Sequence, residues 1–316
     1  MCDGMFAFAI LDKKSNKLIL GRDRAGKKPL YYFKKSGSMV FASELNTLSN
    51  CVNKLRVDEK EISSYIRNGF FYHEKTPFQD VYAVSPGSIL IVTINDLIIQ
   101  KNSFFDILNH YKKDKINDFE SALRLVDVGL HKSVKDRLLS SDLEVGAFLS
   151  GGIDSSLIVA IASEYVDKLK TFTVKFDGSF DESKLAKLTA EKYETDHTEI
   201  LISMNLKDDI ETILCNYGEP FMDSSAVPSY YVSQEAKKHV SVVLNGDGAD
   251  ELFGGYRRYV PVANNWIGIA KYFSQFANVL PRSNNKQSNL NYIYRLLKLS
   301  KKKGLDFYNS ATNDIF

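Results

Sequence analysis

A seven-residue stretch, Ser-Gly-Gly-Ile-Asp-Ser-Ser at 150–156, lies between an apolar run and an amphipathic run. The apolar run, Val145–Leu149, has the length and composition of a buried strand. After the stretch, apolar side chains recur every four residues at Leu157, Ile161 and Tyr165, which indicates one face of a helix. The pattern therefore predicts a strand, a tight glycine turn and the N-terminus of a helix.

Such a turn suits a phosphate group. N–H groups at the start of a helix point outward unpaired, the helix dipole adds partial positive charge, and Gly151 and Gly152 let the backbone approach an anion closely. Hydroxyl donors are provided by Ser150, Ser155 and Ser156. Asp154 would repel a phosphate unless a divalent cation lay between them, so it points to magnesium. The alternative is a plain serine-glycine turn capped by Asp154 or Ser155.

A second glycine-rich turn follows the apolar run Val240–Leu244 and reads Asn-Gly-Asp-Gly-Ala-Asp-Glu from position 245. Its carboxylates, Asp247, Asp250 and Glu251, would repel one another by very roughly a kcal/mol per close pair unless they share a cation. Glycines on both sides of the acids favour a cation site over an exposed acidic loop. We expect magnesium at this turn.

The composition is that of an ordinary globular protein. Of the 316 residues, 44% are hydrophobic and 25% charged, and the length allows two domains. The net charge of +2 gives no reason to expect nucleic acid or a membrane surface as a partner. We find no apolar run of membrane-spanning length and no signal peptide. The scattered cysteines, Cys2, Cys51 and Cys215, indicate neither a disulfide framework nor a zinc site, so we expect a reducing cytoplasm.

Short apolar segments separated by polar turns mark the first hundred residues. Strands are predicted at Gly4–Leu11, Lys17–Gly21, Leu30–Phe33, Met39–Ala42 and Ile89–Ile94, and a helix at Val57–Asn68. Because the connections are short, we expect an antiparallel meander. We expect Arg22, Asp23 and Arg24 to form a structural ion-pair cluster at a strand end, with no catalytic role.

The second part of the chain alternates strands with helices. Strands are predicted at 145–149, 171–176, 198–202 and 240–244, and helices at about 119–138, 157–165, 181–193, 206–215 and 227–239. This alternation predicts an α/β fold with a doubly wound parallel sheet, whose ligands bind at the carboxyl ends of the strands. Ser150, Val174 and Asn245 fall at such ends. We place a first domain at 1–104, a linker at 105–118 and a second domain at 119–316.

The first domain resembles the later part of a class II glutamine amidotransferase domain, an α+β, Ntn-hydrolase-like fold at the front of asparagine synthetases. The matching segments are Gly4–Ile10 (GMFAFAI), Gly21–Tyr32 (GRDRAGKKPLYY) and Phe41–Glu44 (FASE), in the order and spacing of the family. Cys2 after Met1 invites assignment as the family's N-terminal cysteine nucleophile. We decline that assignment, because Cys2 directly precedes segments that belong deep inside the domain. We therefore expect an incomplete glutaminase half.

Residues 150–156 resemble the pyrophosphate-binding SGGxDSS loop of the ATP pyrophosphatase class, and residues 245–256 resemble the SGxGxDExFxGY segment of asparagine synthetases. The resemblance implies that ATP and Mg²⁺ bind, with Asp154 and Asp250 holding the metal on pyrophosphate. Asp247 takes a position like that of the family's catalytic Glu or Asp. The implied nucleotide contacts are Leu149, Ser150, Gly151, Gly152, Asp154, Ser155, Ser156, Val174, Asn245 and Gly246. Asn245 departs from the family's usual serine, although its amide can still hydrogen-bond the nucleotide.

Three further features have two explanations each. Val174 would pack on the adenosine, and a plain core valine explains it nearly as well. The segment 219–226 (EPFMDSSA) resembles one that helps to hold the acceptor acid, with Asp223 binding an amino group, but a helix N-cap before Val227 explains it almost as well. Residues 180–182 (FDE) resemble a family motif that opens a helix, and an acid stabilising the helix N-terminus is the simpler account.

Over about 3–259, the chain resembles a partial glutamine-hydrolysing asparagine synthetase. The family's later lysine-bearing segments are not found, so we expect the chain to be incomplete at its C-terminal end too. The resemblance implies an ATP-dependent carbon–nitrogen ligase that forms an aspartyl-adenylate and then asparagine, with ammonia from glutamine. Two alternatives stay open: an amidotransferase for another carboxylate, such as a sugar acid, and an inactive nucleotide-binding fragment. The expected partners are small molecules, and a homodimer is compatible with the sequence.

Overall fold

The computed structural model describes residues 3–113, 115–175, 183–201, 206–223, 225–256, 259–280 and 288–312. By their internal contacts the residues form two compact units. The first unit is Met1–Gly129 with Ser203–Tyr231, and the second unit is Leu130–Ile202 with Val232–Phe316.

Two antiparallel sheets form the framework of the first unit. Their strands are β1 (Ala7–Asp12), β2 (Lys17–Arg22), β3 (Tyr31–Lys35), β4 (Ser38–Ala42), β5 (Val81–Ala83), β6 (Ser88–Thr93) and β7 (Ile99–Ser103). One sheet has the order β1-β2-β6-β7, and the other has the order β4-β3-β5. Along β6 every second side chain is buried, as expected where one face of a sheet packs on a core.

The expected single meander is wrong, although its strands lie close to their predicted positions. β2 pairs with β6 and not with β3, so that Leu20 stands opposite Leu90. Both leucines are buried in one cluster with Leu30, Tyr32 and Val84. The chain between β2 and β3 is a wide loop, not a hairpin turn, and it leads β3 into the second sheet.

That loop also corrects the ion-pair cluster expected at 22–24. Arg22 donates to the backbone oxygens of Gly26, Lys28 and Val84 at 2.7, 3.0 and 2.8 Å. Arg24 pairs with Asp3. Asp23 is only 1% exposed, and its carboxylate accepts hydrogen bonds from backbone N–H groups of the loop. Arg22 and Asp23 therefore organise the loop backbone, because a buried carboxylate and guanidinium need hydrogen-bond partners there, while Arg24 forms an ion pair with Asp3.

The helices follow the predicted order, with additional short ones. They are α1 (Leu45–Cys51), α2 (Glu59–Asn68), α3 (Ile107–Tyr111), α4 (Phe119–Leu139), α5 (Ile153–Ala162), α6 (Ser183–Lys192), α7 (Leu206–Tyr217), α8 (Ala226–Ala236), α9 (Ala249–Phe253), α10 (Val260–Ala263), α11 (Trp266–Tyr272), α12 (Asn289–Leu299) and α13 (Gly304–Thr312). A 3-10 helix covers Ser274–Asn278. The ends of α2 follow local rules: the Asp58 carboxylate accepts from the N–H groups of Lys60 and Glu61, and Gly69 ends the helix in the left-handed conformation.

A parallel sheet is the centre of the second unit. Its strands are β8 (Val145–Phe148), β9 (Lys170–Lys175), β10 (Asp196–Leu201) and β11 (Val242–Leu244), in the order β10-β9-β8-β11. The chain runs outward from β8 to β9 and β10, and β11 joins on the other side of β8. The predicted doubly wound sheet is confirmed, and its strand order reverses between β8 and β11. Ligands of such sheets bind at that reversal, outside the carboxyl ends of the strands.

The core of the second unit lies between the sheet and its helices. The buried cluster contains Val134, Val145, Ala147, Leu149, Val159, Ile161, Ala162, Leu169, Ala186, Ala190 and Leu244. β8 is almost wholly buried, as strands covered on both faces are. Gly146 in this strand lets the Phe172 ring approach closely, since a Cβ there would lie 2.9 Å from the ring.

Three predicted features, Cys2, residues 180–182 and Ser224, lie outside the described residues. Cys51 and Cys215 are free and exposed. Among the helices of the described ranges, none is both long and apolar enough to cross a membrane. The predicted linker, 105–118, includes α3.

Candidate functional site

The loop after β8 starts from a fixed strand end. Leu149 is 1% exposed, and its N–H donates to the Phe172 carbonyl oxygen at 2.9 Å. Gly151 has a φ of 82°, a left-handed conformation that favours glycine. Gly152 is the extended N-cap residue, and α5 begins at Ile153. The predicted order of strand, glycine turn and helix N-terminus is confirmed. The first N–H groups of α5 have no acceptors within the helix and are available to an anion.

The serine hydroxyls of this loop have separate tasks. Ser155 is 8% exposed, and its Oγ accepts from the Ser150 N–H at 3.2 Å, lies 3.0 Å from Ser150 Oγ and donates to the Gly152 carbonyl at 3.2 Å. It therefore closes the loop on itself. Ser150 Oγ also accepts from the Gly152 N–H at 3.3 Å. Ser156 Oγ lies 3.4 Å from Thr189 Oγ1 on α6. The hydroxyls hold the shape of the loop that was expected to bind phosphate.

Two exposed side chains stand at the start of α5. Asp154 is exposed. Asp154 lies in the first turn of α5, where the helix dipole stabilises its negative charge and where its carboxylate is beside the free N–H groups. Ile153 is 85% exposed, an unusual state for a large apolar side chain within such a loop.

The acidic loop after β11 lies against this helix start. A Cβ on Gly246 would come within 2.9 Å of Asp154 Cβ and 3.0 Å of the Ser155 nitrogen. Because β11 and β8 are parallel neighbours, their following loops meet at the same edge of the sheet. The structure thus brings together the two glycine-rich turns that the sequence analysis identified separately.

Within the acidic loop, the side chains have different exposures. Asn245 donates from Nδ2 to Asp247 Oδ2 at 2.7 Å, and Asp247 is exposed. Asp250 is half-buried in the first turn of α9. Glu251 accepts a hydrogen bond from the Tyr256 hydroxyl. The acidic loop therefore carries one exposed carboxylate, Asp247, and one half-buried carboxylate, Asp250.

The end of β9 supports the other side of the glycine loop. Thr173, only 2% exposed, donates its hydroxyl to the Leu149 carbonyl oxygen. The Leu149 N–H and C=O are therefore both hydrogen bonded, and its side chain lies in the core. Val174 is half-buried and stands opposite Ile200 of β10. Thr173 and Thr189 were missed by the sequence analysis, because neither lies in a recognisable motif.

The donor set can be tested against magnesium. Across the described ranges, no group of three or more His, Cys, Asp or Glu side chains is arranged to hold a metal ion. Asp154 and Asp250 are two carboxylates on two loops, and the contact at Gly246 joins those loops. Mg²⁺ is usually held by one or two carboxylates together with waters and substrate phosphates. A two-carboxylate donor set beside the glycine loop fits that preference.

The segment expected to hold an acceptor acid lies in the first unit, after α7. Asp223 Oδ1 accepts from the Ser225 N–H at 2.9 Å just before α8, so the helix-start explanation accounts for this carboxylate. Glu219, Phe221 and Met222 line a cavity of about 580 Å³ with Asn46 and Tyr65. The Asp223 carboxylate therefore serves the start of α8 as a hydrogen-bond acceptor.

Two ionisable groups of this cavity were missed as individual residues. Burial raises the pKa of the Glu219 carboxyl. Burial also raises the pKa of Tyr65, and the nearby Glu219 charge adds to the effect. Tyr65 is 5% exposed, and within the described part of the chain its hydroxyl has no hydrogen-bond partner. A lone Tyr in a helix gives no sequence signal that its hydroxyl will face a carboxyl group.

Comparison with known proteins adds independent information. The asparagine synthase family matches residues 126–313, more than half of the chain, and the glutamine amidotransferase domain family matches residues 1–104. The putative glutamine-hydrolyzing asparagine synthetase 2 of Methanocaldococcus jannaschii is 34% identical over 267 residues, covering 82% of this chain and 50% of that protein. The glutamine-hydrolyzing asparagine synthetase 1 of Bacillus subtilis is 35% identical over 286 residues, covering 88% of this chain and 44% of that protein.

The chain thus spans about half the length of these curated relatives. A solved structure, the glutamine-dependent NAD⁺ synthetase of Acinetobacter baumannii with ADP, is 15% identical, with a TM-score of 0.33 over 80% of this chain and 61% of that one. A score so low carries no argument. The family matches, by contrast, cover both parts of the chain in the predicted order: a glutamine amidotransferase region is followed by a synthetase region with a parallel sheet. The chain belongs to the asparagine synthase family.

Proposed function

We propose that this chain carries the nucleotide-using part of an enzyme that amidates aspartate to asparagine, with ATP as the energy source and glutamine as the source of ammonia. The observation that carries the proposal is the contact of Gly246 with Asp154 and Ser155, which joins the glycine loop to the acidic loop. A phosphate chain and its divalent cation need free N–H groups and carboxylates side by side.

The pyrophosphate part of ATP is assigned to the glycine loop. Gly151 and Gly152 leave room for the anion, and the first N–H groups of α5 face it with the positive end of the helix dipole. Ser150 and Ser156 complete the hydroxyl set, and Ser155 keeps the loop closed from within. These groups are fixed before ATP arrives, so little reorganisation opposes binding.

Asp154 and Asp250 are the residues that would hold Mg²⁺. When bound, the ion supplies neutralisation of charge on the leaving pyrophosphate. Asp247 is assigned beside the reacting centre, where Asn245 orients its carboxylate through the 2.7 Å hydrogen bond. Gly246, between Asn245 and Asp247 in the sequence, lets the acidic loop approach α5. Orientation of this kind is what a reaction between two anions requires from a protein.

The adenosine is assigned to the end of β9, with Val174 against the adenine or ribose. Leu149 would act through its fixed backbone, because its side chain lies in the core. In the proposed reaction the side-chain carboxylate of aspartate attacks the α-phosphorus, forms an aspartyl-adenylate and releases pyrophosphate. Ammonia then attacks the acyl carbon and AMP leaves.

The acceptor and the ammonia source are supported by the names of the relatives, which are glutamine-hydrolyzing asparagine synthetases, and by the glutamine amidotransferase match at 1–104. That match supports our proposed first domain at 1–104, and the asparagine synthase match at 126–313 lies within our proposed second domain at 119–316. Another carboxylate, such as a sugar acid, remains a second candidate acceptor, because the glycine loop binds ATP and not the acceptor.

The test is ATP–pyrophosphate exchange with Mg²⁺, with and without aspartate, alongside calorimetric titration with ATP. We expect aspartate-dependent exchange that falls about 100-fold in Asp154→Asn. The matched control is Asp167→Asn, an exposed aspartate in the connection after α5, which should behave as the unchanged chain.

Each other outcome has its own meaning. Exchange that depends on a different acid would replace aspartate as the acceptor and keep the adenylation step. ATP binding without exchange for any acid would identify a nucleotide-binding chain that lacks catalysis. A folded sample that does not bind ATP would contradict the proposal as a whole.

A further inference from the structure

The end of α7 receives a hydrogen bond from a distant helix. The Cys215 carbonyl is one of the last in α7, and such carbonyls have no partner within the helix. It accepts from the Gly218 N–H at 3.3 Å and from Asn46 Nδ2 at 2.7 Å. Asn46 lies in the first turn of α1, 169 positions away in the sequence. One side chain of α1 thus caps the C-terminus of α7.

The packing at this cap is close. Gly218 has a φ of 68°, the left-handed conformation that commonly ends a helix. A Cβ at Gly218 would lie 3.1 Å from Asn46 Oδ1 and 3.3 Å from the Asn46 backbone nitrogen. The turn after α7 therefore fits against α1 with no space for a larger residue. Both residues belong to the first unit.

The residues that leave this cap are those of the acceptor segment, 219–226. Glu219 follows Gly218 directly and enters the cavity of about 580 Å³ that Asn46 also lines. Phe221 turns back and stacks on Tyr217, with 4.1 Å between ring centroids. Because the segment begins one residue after the cap, a shift of the cap changes the position at which Glu219 enters the cavity.

The cap also crosses between the two family regions. Asn46 lies in the part matched by the glutamine amidotransferase domain, and Cys215 lies in the part matched by asparagine synthase. We propose that Asn46 is a positioning residue, which holds the Cys215 carbonyl and thereby fixes the acceptor segment at 219–226 for binding of the acceptor acid. The inference rests on the proposed function, which makes aspartate the acceptor, and on the resemblance of 219–226 to a segment that helps to hold the acceptor acid.

The decisive variant is Asn46→Asp, which keeps the size of an exposed side chain and removes the N–H donor. The matched control is Asn50→Asp, an exposed asparagine one turn further along α1. We expect Asn46→Asp to raise the KM for aspartate in ATP–pyrophosphate exchange about 10-fold, with the KM for ATP and the maximal rate within about two-fold of the unchanged chain. Asn46→Ser, which restores a short donor, should recover part of the loss.

Amide hydrogen exchange over 215–223 provides a readout that needs no activity. The peptide should exchange faster in Asn46→Asp and stay unchanged in Asn50→Asp. Unchanged amide exchange, or an equal loss for aspartate and ATP, would overturn the inference. If the chain without substitutions shows no acceptor-dependent ATP–pyrophosphate exchange, the proposed function fails. Amide hydrogen exchange then decides by itself whether Asn46 holds the segment.

Discussion

Gly246 lies directly against Asp154: a Cβ on Gly246 would be 2.9 Å from Asp154 Cβ, a separation that real Cβ atoms essentially never show. The two residues follow β11 and β8, which are parallel neighbours. The loops can therefore meet this closely only because position 246 has no side chain. This contact sets the spacing between the glycine loop and the acidic loop.

Gly246→Ala should separate the two loops. The new methyl group would overlap the backbone of the first turn of α5, and that backbone cannot rotate away as a flexible side chain could. We expect ATP affinity to fall about 10-fold or more and the free energy of unfolding to fall by about 1–3 kcal/mol. Calorimetric titration with ATP and urea unfolding measure the two effects.

Gly129→Ala is the matched control for that substitution. Gly129 is an exposed residue of α4, and a Cβ there would have no atom within 4 Å. Because alanine has a higher helix propensity than glycine, the free energy of unfolding should rise by up to about 1 kcal/mol, and ATP affinity should stay unchanged. If Gly246→Ala binds ATP as well as Gly129→Ala does, the loop contact has no part in the site.

Asp23 should be essential for the stability of the first unit. Its buried carboxylate accepts from the N–H groups of Phe6, Ala25, Lys27 and Lys28 at 3.0–3.3 Å. Asp23→Ala leaves these donors unpaired, and we expect a loss of about 3 kcal/mol in unfolding free energy. Urea unfolding measures it, and Asp142→Ala, at an exposed turn, should change the value by less than about 0.5 kcal/mol.

The pH dependence of stability provides a second test of the role of Asp23. Burial acts to raise the pKa of this carboxyl, but the backbone N–H donors outweigh burial and lower it. Its contribution to stability is therefore complete above the unfolded-state pKa of about 3.9 and is lost as the pH falls through the folded-state pKa. The difference between the unchanged chain and Asp23→Ala should shrink in that range. A difference that stays constant to low pH would contradict this role.

The local parts of the fold could be predicted from the sequence. The glycine loop at 150–156 was recognised because strand, turn and helix start all depend on neighbouring residues. The pairing of β2 with β6 could not be recognised in this way, since it depends on which distant strand offers a matching buried face, here Leu90 opposite Leu20. The short helix α1 was missed because it is polar and carries only two buried side chains, Leu45 and Leu48.

The candidate site shows the same division. That Ser150, Val174 and Asn245 would lie at strand ends followed from the alternation of strands and helices. Ser150 and Asn245 do follow β8 and β11, and Val174 is the penultimate residue of β9. The inward hydroxyl of Ser155 depends on the exact backbone path of the loop, which no residue pattern encodes. The capping of α7 by Asn46 joins residues 169 positions apart, and neither residue is part of a motif.

Glu219→Gln should change how stability depends on pH. Burial raises the folded-state pKa of Glu219 above its unfolded value of about 4.3. Its stabilising contribution is therefore complete below that value and is lost as the pH rises through the folded-state pKa. We expect the unchanged chain to lose stability relative to Glu219→Gln across this window in urea unfolding. Glu211→Gln, at an exposed position of α7, should run parallel to the unchanged chain. Parallel curves for Glu219→Gln as well would contradict the burial.

His197 should make the second unit sensitive to mild acid. Its Nδ1 lies 2.9 Å from Thr171 Oγ1, and among the described residues the buried Nε2 has no hydrogen-bond partner. Burial lowers the pKa of this imidazole, against a smaller raising effect of Glu199. Above the unfolded-state pKa of about 6.5 the ring is neutral in both states, and below it the unfolded chain gains a proton that the folded chain takes up only at lower pH. Unfolding just below pH 6.5 should therefore be accompanied by proton uptake, and His197→Asn should remove that pH dependence. The exposed His239→Asn should keep it, and equal slopes in the two variants would show that His197 does not titrate as a buried group.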